Sequence, residues 1–103
     1  MLLQKQKTMP YIHIFKLDTG EEIITKVIDD TISNFVIERP LQMGMGQQGL
    51  RFTPFMLMID QDNPVKLYKA KIVSDAPPTL NIEAQYEQLT SNIALPQKSA
   101  IIT

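Results

Sequence analysis

Asp18-Thr19-Gly20 stands between two runs of strand-forming residues and restricts this chain more than any other feature, because it can reverse the backbone within a few residues. Glycine takes a positive φ at such a bend without steric cost, and Asp and Thr bond readily to nearby backbone groups in turns. Before the bend, Tyr11 to Leu17 is largely aromatic or β-branched, with His13 and Lys16 as exceptions, and reads as a first strand. After it, Glu21 to Ile28 returns as a second. Ile23 and Ile24 put apolar side chains on both faces of that second strand, which suits a strongly bent barrel strand better than a flat, one-sided sheet.

The remainder divides at its prolines and glycines. An Asp/Asn-bearing turn, Asp30 to Asn34, leads into Phe35-Val36-Ile37, a third strand expected to stop before Pro40 because proline cannot donate to a ladder. Leu41 to Gly49, with Met43-Gly44-Met45-Gly46-Gln47-Gln48-Gly49, reads as a flexible loop. Phe52 to Ile59 is the most hydrophobic strand candidate, with Phe55, Leu57 and Ile59 on one face and Met56 and Met58 on the other. Asp60 to Pro64 forms an acidic turn, and Val65 to Val73 a fifth strand. Beyond Pro77-Pro78 the period lengthens: Ile82, Tyr86, Leu89 and Ile93 share one face of a helix. The domain plan is a basic arm over residues 1–9, a β-barrel over 10–74, a helix packed on it over 75–94 and a tail over 95–103.

Composition narrows the function. At 103 residues the chain is one domain with a modest core, and without cysteine it has neither disulfides nor a thiolate. Ten basic side chains against eleven acidic ones give a net charge of −1, which argues against strong non-specific attraction to nucleic acid and requires any such site to be local. No run is long and apolar enough for a membrane span or a signal peptide, so a cytoplasmic chain without membrane contact is expected. Lone His13 lacks companions at metal-ligand spacing. Glu21-Glu22 and Asp29-Asp30 are adjacent carboxylates that point to opposite faces and solvate hairpin ends. No catalytic residue, metal or cofactor is read from the chain, and it is not expected to be an enzyme.

The hairpin glycine Gly20, followed by Asp30, then Asn34 and an apolar triplet, resembles the first motif of the Sm-like (LSm) family. Small Sm-like proteins of tailed marine phages are similar in this hairpin and in a C-terminal helix containing a tyrosine, which would place the chain in a host cytoplasm. The resemblance implies a five-stranded, strongly bent barrel that assembles into a cyclic homo-oligomer and binds single-stranded RNA at its pore. On that basis Asn34 would contact the base, Asp30 would support it, and Ile32 or Ser33 would occupy the stacking position, where the lack of an aromatic ring makes stacking weak. Lys5, Lys7, Lys26 and Arg39 become candidate phosphate partners. The residues also fit a plain Asx-type turn.

The family's second motif, Arg-Gly followed by Asp or Asn between the last two strands, has no counterpart on this reading, its place being taken by Asp60-Gln61-Asp62-Asn63-Pro64. Lys69 and Lys71 are assigned to a solvated outer face. The alternative is a structural or protein-interaction ring, a phage accessory or scaffold without nucleic acid, that contacts another protein through Met43, Met45 and the helix. For either ring the predicted interface comprises Phe55, Met56, Leu57, Met58 and Ile59, together with Tyr68 and Ile72, because a doubly apolar strand and open strand edges need cover.

Overall fold

The computed structural model describes residues 8–94. They form one sheet of six antiparallel strands and one helix: β1 (Tyr11–Leu17), β2 (Glu22–Asp30), β3 (Asn34–Gly46), β4 (Gly49–Pro54), β5 (Val65–Tyr68), β6 (Ile72–Ala76) and α1 (Leu80–Ala94). The strand order is β4-β3-β2-β1-β6, with β5 also paired to β3. The β1–β2 hairpin is the predicted one: Gly20 has φ 105°, its N–H donates to the Leu17 carbonyl at 2.9 Å, and Leu17 N–H donates to the Glu21 carbonyl at 2.9 Å.

β2 is covered on both sides, as its mixed pattern predicted. Ile23 and Val27 enter a core with Phe15, Leu17, Ile37 and Leu67, whereas Ile24 enters a second core with Leu41 and Tyr86. Each fully buried aliphatic side chain of this kind contributes about 1.5–3 kcal/mol.

β3 departs from expectation. It does not stop before Pro40 but runs on to Gly46, because the irregularity that Pro40 requires is supplied by a bulge. Ile24 pairs with Leu41 and Lys26 with Glu38, so Arg39 and Pro40 together face Thr25, and Arg39 takes φ 51°. At this kink β3 changes partner: Asn34 to Ile37 pair with β5, and Leu41 to Gly46 pair with β4. The predicted flexible loop at 41–49 is therefore a hairpin, turning through Gln47-Gln48 into Gly49 at φ 108°.

The Phe52 to Ile59 strand is also corrected. β4 ends at Pro54, and the segment after it has no partner strand among the described residues. Phe55 donates its N–H to the Pro40 carbonyl at 3.1 Å and packs against the first core, but Leu57 and Met58 are 72 % and 96 % exposed, so the expected burial on both faces is absent. Hydrogen bonds from Gln61 Nε2 to the Met56 carbonyl and from Asp62 N–H to Asp60 Oδ1, both 3.0 Å, fasten this loop. The single strand expected over Val65 to Val73 is divided by one 3-10 turn, Lys69–Lys71. Six strands thus replace five, and the sheet is not closed into a barrel.

The helix forms where the period predicts, but of its predicted packing face Ile82 and Tyr86 meet the second core, while Leu89, a turn further on, is 38 % exposed. Thr79 caps it, its Oγ1 accepting from Ile82 N–H at 3.2 Å and its carbonyl from Glu83 N–H at 2.9 Å. Tyr86 is the buried anchor. Its hydroxyl lies 3.1 Å from the Glu38 carbonyl oxygen and 2.8 Å from that of Arg39, so one O–H proton is shared across the bulge. Thr25 Oγ1 donates to the same Glu38 carbonyl at 2.8 Å. Of the predicted arm, residues 1–7 with Lys5 and Lys7, and the whole tail at 95–103, lie outside the described residues.

Candidate functional site

The turn between β2 and β3 is built around Thr31 and Asn34. Thr31 N–H and Oγ1 both donate to the Asn34 carbonyl, at 2.8 and 2.9 Å, and Asn34 N–H donates back to Thr31 Oγ1 at 3.1 Å. Such reciprocal bonds are what short hydroxyl and amide side chains supply in turns, and they fix the loop without glycine. Asn34 Nδ2 donates to Ser33 Oγ at 3.3 Å, while Asn34 Oδ1 is buried without a partner among the described residues. Ile32 projects from the tip, 98 % exposed.

Lys69 closes the site from the 3-10 turn. Its Nζ donates to Asp30 Oδ1 and to the Thr31 carbonyl, each at 2.6 Å, and lies 4.7 Å from the centroid of the Phe35 ring. Its backbone N–H donates to the Ser33 carbonyl at 2.9 Å. The sequence points to a solvated face for Lys69 because it shares a strand face with Lys71 and has Asp60 and Asp62 nearby in sequence; the partner it meets, Asp30, lies 39 positions away. No local signal marks the 3-10 turn, because the alternation of Val65 to Val73 runs through Lys69-Ala70-Lys71. Replacing Lys69 with methionine is expected to lower stability by about 1 kcal/mol, since an exposed ion pair and a cation–π contact are each worth about 0.5–1 kcal/mol and screening by solvent reduces the first. Urea unfolding at low and moderate salt tests this, with the smaller loss expected at higher salt.

The structure brings Asp30, Ile32, Ser33 and Asn34 together in one turn but leaves two other candidates apart. Lys26 pairs with Glu38 at the bulge, and the Arg39 guanidinium is held by Asp62 at 3.0 Å and approaches Glu38 at 3.7 Å. Among the interface candidates, Phe55 and Ile72 pack against the first core, whereas Leu57, Met58 and Tyr68 are exposed. Met43 packs against the second core and Met45 stands out from the β3–β4 hairpin.

His13 is buried on β1 between Tyr11 and Phe15, with Nε2 2.8 Å from Asp75 Oδ1 on β6. It has a carboxylate neighbour that sequence spacing could not reveal. Burial, then the nearby charges of Asp30 and Asp75, push the Tyr11 hydroxyl above its ordinary pKa. No group of three or more metal-binding side chains occurs among the described residues, and no helix there is long and apolar enough to cross a membrane. No protein-family model matches the chain, and no curated protein does.

Proposed function

We propose that this chain is an Sm-like subunit that associates edge to edge with copies of itself into a ring and presents the Asp30–Asn34 turn, with Lys69, to single-stranded RNA. The topology supports the barrel part of this reading. The path β5-β3-β2-β1-β6 wraps one core, and its two end strands are consecutive in the chain, joined by a single 3-10 turn. The outer edges of β5 and β6 carry no strand within the described residues, which leaves them available to neighbouring copies.

The observation that carries the site is the position of Lys69. The joint between the last two strands is Lys69-Ala70-Lys71, not Asp60 to Pro64, so a cation and a small residue stand where the resemblance asks for Arg-Gly. Lys69 sits against Asp30 and the Asn34 turn, and a backbone phosphate or base edge could exchange with Asp30 for its ammonium. That same neutralisation favours the second reading, a protein-interaction ring, because the site offers little uncompensated positive charge.

Light scattering after size exclusion, with labelled oligo-uridine and a control oligonucleotide at low and moderate salt, tests the proposal. The expected result is a multiple of the 11.7 kDa chain mass that co-elutes with RNA. Asn34→Ala is expected to weaken binding about tenfold, the equivalent of one charge-neutral hydrogen bond. A ring that ignores RNA moves the function to a protein scaffold. A monomer at every concentration overturns both.

A further inference from the structure

The outer edge of β4 is a third unpaired edge, separate from those of β5 and β6, and its hydrogen-bonding groups can be assigned. Gly46 pairs with Gly49 across the Gln47-Gln48 turn, Gly44 with Arg51 and Gln42 with Thr53, and the same alternation reappears where Phe55 N–H donates to the Pro40 carbonyl. In an antiparallel ladder these residues turn their backbone groups toward β3, so the intervening Leu50 and Phe52 direct N–H and C=O outward, and Pro54 its C=O. No strand of the described residues meets them.

The side chains near that edge are apolar and nearly free of charge. Residues 40–50 contain no charged side chain. Met43, Met45, Leu50 and Phe52 share one face of the hairpin, continuous with the core under α1, and beyond that cover Met45 is 80 % and Leu50 38 % exposed. Arg51, the one charge on β4, lies on the other face, and its side-chain stem crosses Gly46 on β3 rather than reaching past the free edge. Of the usual guards of an edge strand, an inward charge and an edge lysine are missing from β4, and the one present, Pro54, stands at its end and leaves Leu50 and Phe52 unguarded.

We propose that this edge pairs with the same edge of a second copy, antiparallel about a two-fold axis at Phe52. Opposed residues must share a face, so registers change in steps of two. The step centred on Arg51 would set two guanidinium groups against each other in a close pair and is disfavoured. The step centred on Phe52 sets the two Phe52 rings side by side, opposes Leu50 to Pro54 of the partner subunit, and opposes Arg51 to the partner's Thr53. Phe52 exchanges both backbone bonds with its counterpart, and each Leu50 N–H meets the carbonyl of the partner's Pro54. The missing proline N–H leaves only the Leu50 carbonyl to solvent.

The absence of cysteine allows a clean test in the full chain. Arg51 and Thr53 are exposed, and in the proposed register they form a non-hydrogen-bonded pair, with Cα atoms about 4.5 Å apart and within disulfide reach. Arg51→Cys and Thr53→Cys, each oxidised mildly alone, are expected to stay at the single-chain mass on a non-reducing gel. Their equimolar mixture is expected to give a band at twice that mass, and Leu50→Lys added to both is expected to reduce it at least tenfold. No dimer band in the mixture overturns the proposal. A dimer from Arg51→Cys alone overturns it as well, by showing the register that opposes Arg51 to itself.

Discussion

Replacing Tyr86 with alanine is expected to cost about 3–5 kcal/mol of folding stability, the range for removing a large buried aromatic side chain. Tyr86 joins Ile24 and Leu41 in the second core, and its hydroxyl spans the Glu38 and Arg39 carbonyls at the bulge. Alanine would therefore remove the ring that holds α1 on the sheet and take the phenol donor from the Arg39 carbonyl, leaving the Glu38 carbonyl with Thr25 Oγ1. Tyr86→Phe separates the two effects, because it keeps the ring and is expected to cost only about 1–2 kcal/mol. Urea unfolding of the three proteins measures the difference. An alanine variant within about 1 kcal/mol of the parent would mean that α1 contributes little to the fold.

The same hydroxyl makes stability fall in strong base. Burial pushes the Tyr86 pKa from 10.0 up to about 12, outweighing the Lys26 backbone, the Arg39 charge and the Thr25 hydroxyl, which favour the phenolate, while the Glu38 charge adds to the rise. The folded chain therefore holds the phenol proton more tightly than the unfolded chain. The contribution is fully present below pH 10.0, where both states are protonated, and is lost as pH rises toward about 12, because the unfolded state ionises first. A shift of this size corresponds to roughly 2–3 kcal/mol across that window. Unfolding midpoints followed from neutral pH through the window should fall steeply in the parent and less in Tyr86→Phe. Parallel curves would show that Tyr86 ionisation is not what destabilises the chain in base.

The parts of this fold that rest on local chemistry were readable from the residues. Gly20 set the first hairpin, Ile23 beside Ile24 announced a strand covered on both faces, and the spacing of Ile82, Tyr86 and Leu89 gave the helix. The parts that rest on distant partners were not. Pro40 normally ends a strand, but here it falls in a bulge opposite Thr25 at the point where β3 changes neighbours, and nothing adjacent in sequence signals that exchange. Phe55 to Ile59 has a strand's composition yet meets no strand to pair with among the described residues. The candidate site divides in the same way. Asp30, Ser33 and Asn34 share a turn and were found together, whereas Lys69 reaches Asp30 across 39 positions of sequence.

The change of partner along β3 also separates two jobs within one strand. Its first half belongs to the wall around Phe15, and its second half forms a ribbon whose outer part, from Gly44 to Arg51, pairs only within the β3–β4 hairpin among the described residues. Such a ribbon can lengthen or shorten by opposed residue pairs while the wall keeps its register. The chain thus carries an extensible arm on a fixed body, and inserting or removing an opposed pair behind Gln47-Gln48 would change the arm's reach without moving the register of the wall.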